Sequence, residues 1–225
     1  MRPISSKTSA SFRGFTLIEL LTVIAIIGIL AAILIPAVSA AKNAANRARS
    51  KTQFSQWATA MTSFKQEYGY YPSIAKGNKL MAANPDKFSP ALTGKADTSG
   101  TVIPSGSSAA VYYGNIKAIA FYTLTPSDLD TTTTPPTLVD AFGNTDIAVK
   151  VDTNGDGKID ATDVSTDGSY TAEWSTVTSL LTGQQRDPKG ADDTLNKANG
   201  AVHAGVIFYS AGKGSTDTDM VTTWQ

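Results

Sequence analysis

Hydrophobic positions dominate the stretch from Phe15 to Val38, FTLIELLTVIAIIGILAAILIPAV, in which Glu19 is the only charged residue. At ~1.5 Å per residue, a helix of about 20 such residues matches a hydrocarbon core of ~30 Å, so this is a candidate transmembrane helix. A secretory signal peptide is the rival reading, with Val38-Ser39-Ala40 as its cleavage site. Two details count against it: the run exceeds the ~7 to 15 apolar residues of such a signal, and it carries a carboxylate near its start. The helical pattern continues through AAKNAANRARSKTQFSQWATAMTSFKQEYG, where Val38, Ala41, Ala45 and Ala48 keep one face small and apolar. Gly69 supplies a stop after Tyr68, and Tyr70-Tyr71-Pro72 favours an extended exit. Roughly 50 residues at ~1.5 Å each make a rod of about 80 Å, far longer than a bilayer is thick, so the second half is expected to pack on something outside the membrane.

Beyond Pro72 the chain turns to Gly, Ser, Thr, Asp and Pro, interrupted by short apolar runs. Ala109 to Tyr113, Ile116 to Leu124, Thr145 to Val151 and Val202 to Ser210 predict strands, although Ile116 to Leu124 fits a helix equally. Asp97 to Ser108 and Asp130 to Thr137 read as loops. An antiparallel sheet covering the outer half of the helix is the economical arrangement, which makes the expected fold α+β.

Composition alters this picture in two ways. The 225 residues include no Cys, which excludes zinc ribbons, redox dithiols and Cys nucleophiles. The formal net charge of zero hides a segregation: residues 1 to 65 hold eight Lys/Arg against Glu19 alone, a net of +7, which leaves −7 on residues 66 to 225. Neutrality overall argues against nucleic acid as a partner, and the basic residues after the apolar run are placed to meet lipid headgroups. His203 is the only histidine and lies in an apolar run, where packing is the simpler role. Gly212-Lys213-Gly214 is too short for a phosphate loop, and Trp57, Trp174 and Trp224 are dispersed, so no enzyme is expected.

Glu19 is the oddity of the apolar run, since a carboxylate inside a membrane helix costs on the order of 3 kcal/mol unless it finds a partner. It either reaches water at the membrane edge or is neutralised in place. A short basic leader, MRPISSKTSASFRG, ends in Gly14 directly before Phe15. A cut there would give Phe15 a positive α-amine about one helical turn from Glu19, on the same or an adjacent subunit. The run Gly14-Phe15-Thr16-Leu17-Ile18-Glu19-Leu20-Leu21-Thr22-Val23 resembles the signal of type IV pilins and type II secretion pseudopilins. That resemblance implies a leader of residues 1–14, cleaved by a prepilin peptidase between Gly14 and Phe15, with methylation of Phe15. It also implies a role for Glu19 in assembly and makes Pro36 the helix-loosening proline of the family. Pro36 lacks an N–H and its ring crowds the carbonyl of Ala32, while Gly28 weakens the same stretch; a tolerated kink and a segment that stretches on assembly both fit. The expected organisation is leader 1–14, transmembrane helix 15–38, its continuation 39–68 and a pilin-like globular domain 69–225.

The clearest chemical motif is Asp152-Thr153-Asn154-Gly155-Asp156-Gly157-Lys158-Ile159-Asp160-Ala161-Thr162-Asp163. Oxygens of Asp152, Asn154, Asp156, Asp160 and Asp163, with the backbone carbonyl of Lys158 and Gly157 at the tight turn, follow the spacing of a calcium loop. Asp163 stands where a longer Glu is usual and a strand-like run precedes the loop, so a full helix-loop-helix is not expected. A solvated turn with locally satisfied Asp and Asn is the alternative. The segment Tyr209 to Met220 is similar to the calcium-associated tail of major pseudopilins, which implies Asp217 and Asp219 as further ligands. Asp140-Ala141-Phe142-Gly143-Asn144 and Tyr70-Tyr71-Pro72 also resemble segments of those proteins. The resemblance therefore implies a pseudopilus subunit forming a homo-oligomeric filament with other pseudopilins on an inner-membrane assembly platform. Its precursor would cross the inner membrane once, with the globular domain outside the cytoplasm, and the assembled filament would be periplasmic or extracellular. A type IV pilin, or a calcium-dependent surface-binding module tethered by the helix, are the alternatives.

Overall fold

The computed structural model describes residues 15–80, 85–95, 101, 103–134, 136–186, 188, 201–216 and 219–224. The chain divides into two units, Met1–Asn43 and Ala44–Gln225. Helix α1, Leu17–Tyr68, contributes to both and contains Pro36 without interruption. It ends at Tyr68 because Gly69 takes φ +83°, a left-handed conformation that costs glycine nothing, while its N–H closes on the carbonyl of Lys65 at 2.7 Å.

In the first unit α1 buries nothing: Leu17, Ile24, Ile29 and Ile35 are all more than half exposed. In the second unit it has one buried face, Ser50, Gln53, Phe54, Trp57, Ala60, Met61 and Phe64. Those positions recur every three or four residues, the spacing that keeps side chains on one side of a helix. The small apolar positions Ala45 and Ala48, like Val38 and Ala41 before them, are exposed instead.

The remaining elements described in the second unit are β1 (Ala75–Lys76), β2 (Lys79–Leu80), α2 (Pro85–Thr93), α3 (Ser108–Tyr112), a 3-10 turn (Pro126–Asp128), β3 (Leu129–Asp130), β4 (Thr137–Leu138), β5 (Ile147–Val151), β6 (Val177–Thr178), β7 (Gln185–Arg186), β8 (Val206–Ser210) and β9 (Val221–Thr222). The main sheet is antiparallel in the order β1-β2-β5-β8-β9, with Ile147 opposite Ser210 and Val151 opposite Val206. β5 and β8 are buried along their whole length. Alternation explains how. Ile147, Val149, Val151, Val206 and Phe208 join Phe54, Trp57 and Phe64 of α1 in the largest core cluster. Ala148 and Tyr209 point the other way, toward Trp174 and Trp224. Lys150, on that second face, is buried with its ammonium 4.5 Å above the Trp174 ring while donating to the carbonyl of Ala172. Trp174 and Trp224, separate in sequence, thus stand 5.9 Å apart, and both pack on Tyr209.

The α+β layout is the expected one, with local differences. Ala109 to Tyr113 is not a strand but lies within helix α3 and its C-cap: Ser107 caps it by accepting from the N–H of Ala110, and Gly114 follows at φ +79°. These end signals outweigh the β propensity of Val-Tyr-Tyr. Ile116 to Leu124 is neither strand nor helix. The Asn115 side chain holds it as a turn, accepting from the N–H of Ile119 and donating to the carbonyls of Ala91 and Ile119. Thr145 to Val151 contains β5, whereas in Val202 to Ser210 the strand begins only at Val206; Val202 forms a single bridge with Ile159, and His203 is exposed in a bend. The loop expected over Asp130 to Thr137 has its end residues paired as a small hairpin. Of the other expected loop, residues 97–100 and 102 lie outside the described residues, and Ser108 opens α3.

Candidate functional site

The start of α1 is organised by two side chains. Thr16 precedes the helix and its hydroxyl accepts from the N–H of Glu19 at 3.3 Å, while the Glu19 carboxylate accepts from the Thr16 N–H at 2.8 Å and hydroxyl at 2.7 Å. This is a capping box, in which two otherwise unpaired helix-end donors are satisfied reciprocally. The Thr-x-x-Glu spacing was a sufficient signal for it, and the reading of Glu19 as a lone carboxylate missed it. Phe15 is exposed, and Gly14, the other side of the expected cut, lies outside the described residues. At Gly28 a methyl group would meet nothing within 4 Å, so no packing demands glycine there. This helix is long and apolar enough to cross a membrane.

The acidic loop between β5 and the Ile159 bridge is wound on its own backbone. Asp152 accepts from the N–H groups of Gly155 at 2.5 Å and Gly157 at 3.0 Å, and Asp163 from those of Thr153 and Asp160, both at 2.8 Å. Asn154 accepts from Asp156, Asp156 from Lys158, and Asp160 from Thr162. Gly155 and Gly157 both adopt positive φ, which lets successive N–H groups turn inward. The six candidate positions therefore share one compact loop. Among the described residues, however, no three carboxylates or imidazoles converge as a metal cluster. Asp152 and Asp163 are nevertheless buried, at 5% and 0% exposure, and no Lys or Arg among the described residues forms an ion pair with either. Burial, with the charges of Asp152 and Asp163 adding to it, pushes the Tyr71 hydroxyl up to about 12. The donor set is hard oxygen, the kind calcium takes; Asp152 accepts two N–H groups, while Asp163 accepts four donors, the N–H groups of Thr153, Asn154 and Asp160 and the Thr153 hydroxyl.

A second cluster joins segments distant in sequence. The Asp140 to Asn144 turn holds the buried Asp140 carboxylate, which accepts from the N–H of Phe142 and Asn144 and from the side chains of Asn144 and Ser210. Burial pushes that carboxyl above its ordinary value against the pull of these four bonds. Asn144 also donates to the carbonyl of Gly212 at 2.7 Å and accepts from the N–H of Leu180 at 2.9 Å. Gly212 and Gly214 are obligatory: at positive φ, a methyl on the first would lie 2.1 Å from the Asp219 carbonyl oxygen, and on the second 2.2 Å from the Ser179 Cβ. Asp219 accepts from the N–H groups of Ser215 and Thr216, closing its own turn. Asp217 lies outside the described residues.

Residues 10–35 match the family described as the prokaryotic N-terminal methylation motif, the signal carried by type IV pilins and pseudopilins. No curated protein and no solved structure matches the chain. The match spans the capping box and most of the exposed apolar half of α1, and is consistent with a membrane-anchored precursor of the pilin type.

Proposed function

We propose that the chain is the precursor of a structural subunit of a type II secretion pseudopilus, cut between Gly14 and Phe15, methylated on Phe15 and polymerised through its N-terminal helix. The observation that carries this is the methylation motif on a helix whose large apolar side chains from Leu17 to Val38 are exposed. Leaving a large apolar side chain in water costs about 1.5 to 3 kcal/mol, so this segment calls for lipid before assembly and for other helices after it. Other pseudopilins, the prepilin peptidase and an inner-membrane assembly platform are the partners this reading requires, with the body outside the cytoplasm. The pseudopilin branch is favoured over a type IV pilin because Asp140 to Asn144 and the Gly212 segment, both of which resemble major pseudopilins, bond to each other through Asn144.

Mass spectrometry of the mature chain tests the processing: it should begin at Phe15 and carry one added methyl group. Glu19→Ala should be cut normally yet fail to assemble; normal filaments from that variant would instead favour a helix that merely tethers a surface-binding module.

Calcium is the second part of the proposal, held by Asp152, Asn154, Asp156, Asp160, Asp163 and the Lys158 carbonyl, with Asp217 and Asp219 as a weaker second set. Two buried carboxylates that form no ion pair among the described residues support the first set. Bound calcium would offset the negative charge that Lys158, the cation of the loop, leaves uncompensated. Thermal melting during calcium titration tests it, and an unmoved midpoint at millimolar calcium would sink it.

A further inference from the structure

A trough follows α1 through the second unit. One cavity of about 840 Å³ lies between Ala48, Arg49 and Gln56 of the helix and Pro126 and Ser127 opposite. A second of about 590 Å³ continues it toward Phe121, sharing Thr52, Gln56 and Thr125 with the first. Residues 44–52 beside it carry Arg47, Arg49 and Lys51 and no acid, a net of +3, with Arg49 exposed and the other two half-buried; Asp128 and Asp140, which also line the first cavity, are buried and hydrogen-bonded within the chain. Residues 152–167 carry five aspartates and one lysine, a net of −4 that bound calcium would reduce to −2; Asp152 and Asp163 are buried, Asp156 is exposed and paired with Lys158, and Asp160 is partly exposed. This acidic segment sits by the other end of the same helix, where the Lys65 ammonium donates to the Asp152 carbonyl at 3.5 Å. Sixteen residues separate Arg49 from Lys65, about 24 Å along the axis at ~1.5 Å each.

We propose that, in the filament, the face of α1 around Arg49 is covered by the acidic loop, residues 152–167, of a second copy of this chain. The inference rests on the filament reading and supplies a contact outside the apolar helix. Two copies meeting through identical patches would set like charge against like, whereas copies displaced along α1 set basic against acidic. The displaced arrangement leaves one patch of each sign unmatched at either end, so it is heterologous and continues without closing.

The absence of cysteine allows a direct test. Ala48→Cys with Ala161→Cys introduces the only two thiols, at exposed positions beside Arg49 and Asp160, and leaves every charge in place. Filaments of the full-length double variant treated with a short bis-maleimide should yield a ladder of linked multimers, and neither single variant should. Adding Arg49→Glu should cut the ladder about tenfold or more, whereas Arg49→Lys should retain it. The ladder should also weaken as salt shortens the screening length from ~10 Å at 0.1 M toward ~3 Å at 1 M. Normal filaments without a ladder overturn the docking and leave the filament reading standing, as does a ladder unmoved by Arg49→Glu, which would be proximity without charge pairing. Processed wild-type chains that form no filament overturn the filament reading itself.

Discussion

The two halves of α1 share a secondary structure and differ in every other respect. From Leu17 to Val38 the helix is almost entirely apolar and its large side chains are exposed; from Ser50 to Phe64 it mixes Ser, Gln and Thr with aromatics, and Phe54, Trp57, Met61 and Phe64 have no exposure. The more hydrophobic half is therefore the one whose side chains stay exposed. Hydrophobic density identifies what a helix must escape, water, whereas periodicity identifies a face that its own chain can cover.

The largest expected break in this comparison comes from Trp57→Ala. It removes a ring packed between Phe54, Phe88 and Phe208 and should cost about 3 to 5 kcal/mol, read as a lower thermal midpoint of the full chain in detergent. Ile27→Ala, at an exposed position, should leave that midpoint in place. Equal losses would erase the distinction between the halves. Glycine offers a second contrast: Gly214→Ala drives a methyl into Ser179 at positive φ and should cost about 2 to 3 kcal/mol, whereas Gly28→Ala meets nothing and should raise helix stability by up to ~1 kcal/mol.

A smaller loss, about 2 kcal/mol in denaturant unfolding, is expected for Asn144→Ala, which deprives Gly212 and Leu180 of hydrogen-bond partners. The smallest effect concerns Asp167, an exposed residue of the second unit. Partial burial pushes its carboxyl up, but hydrogen bonds from Ser73, Ser165 and Ser169 outweigh that and hold it well below the ordinary range. Its contribution is thus present above the unfolded carboxyl value of about 3.9 and is lost as pH falls through the lowered folded value. Thermal midpoints followed across acid pH should fall less steeply in Asp167→Asn than in the wild type.

The same contrast explains what the sequence could disclose. A long uninterrupted apolar run and a helix ending in Gly69 are local patterns, and so are the β-branched runs of β5 and β8. The turns of the acidic loop are local as well, since its Asp, Asn and Gly positions are contiguous. In α3 the Ser107 cap and Gly114 outweigh the β propensity of the Val-Tyr-Tyr run they bound, a balance that composition alone does not display. The approach of Trp174 to Trp224, and of Asn144 to Gly212, is set by strand pairing between distant segments, and no local pattern announces it.

The capping box has one more consequence. Its two members, Thr16 and Glu19, both lie after the bond expected to be cut, with Phe15 alone between that bond and the box. Loss of the leader would therefore leave the first turn of α1 bonded as before. The protease would release an end that is already folded, and the subunit could enter assembly without an intervening step of helix repair.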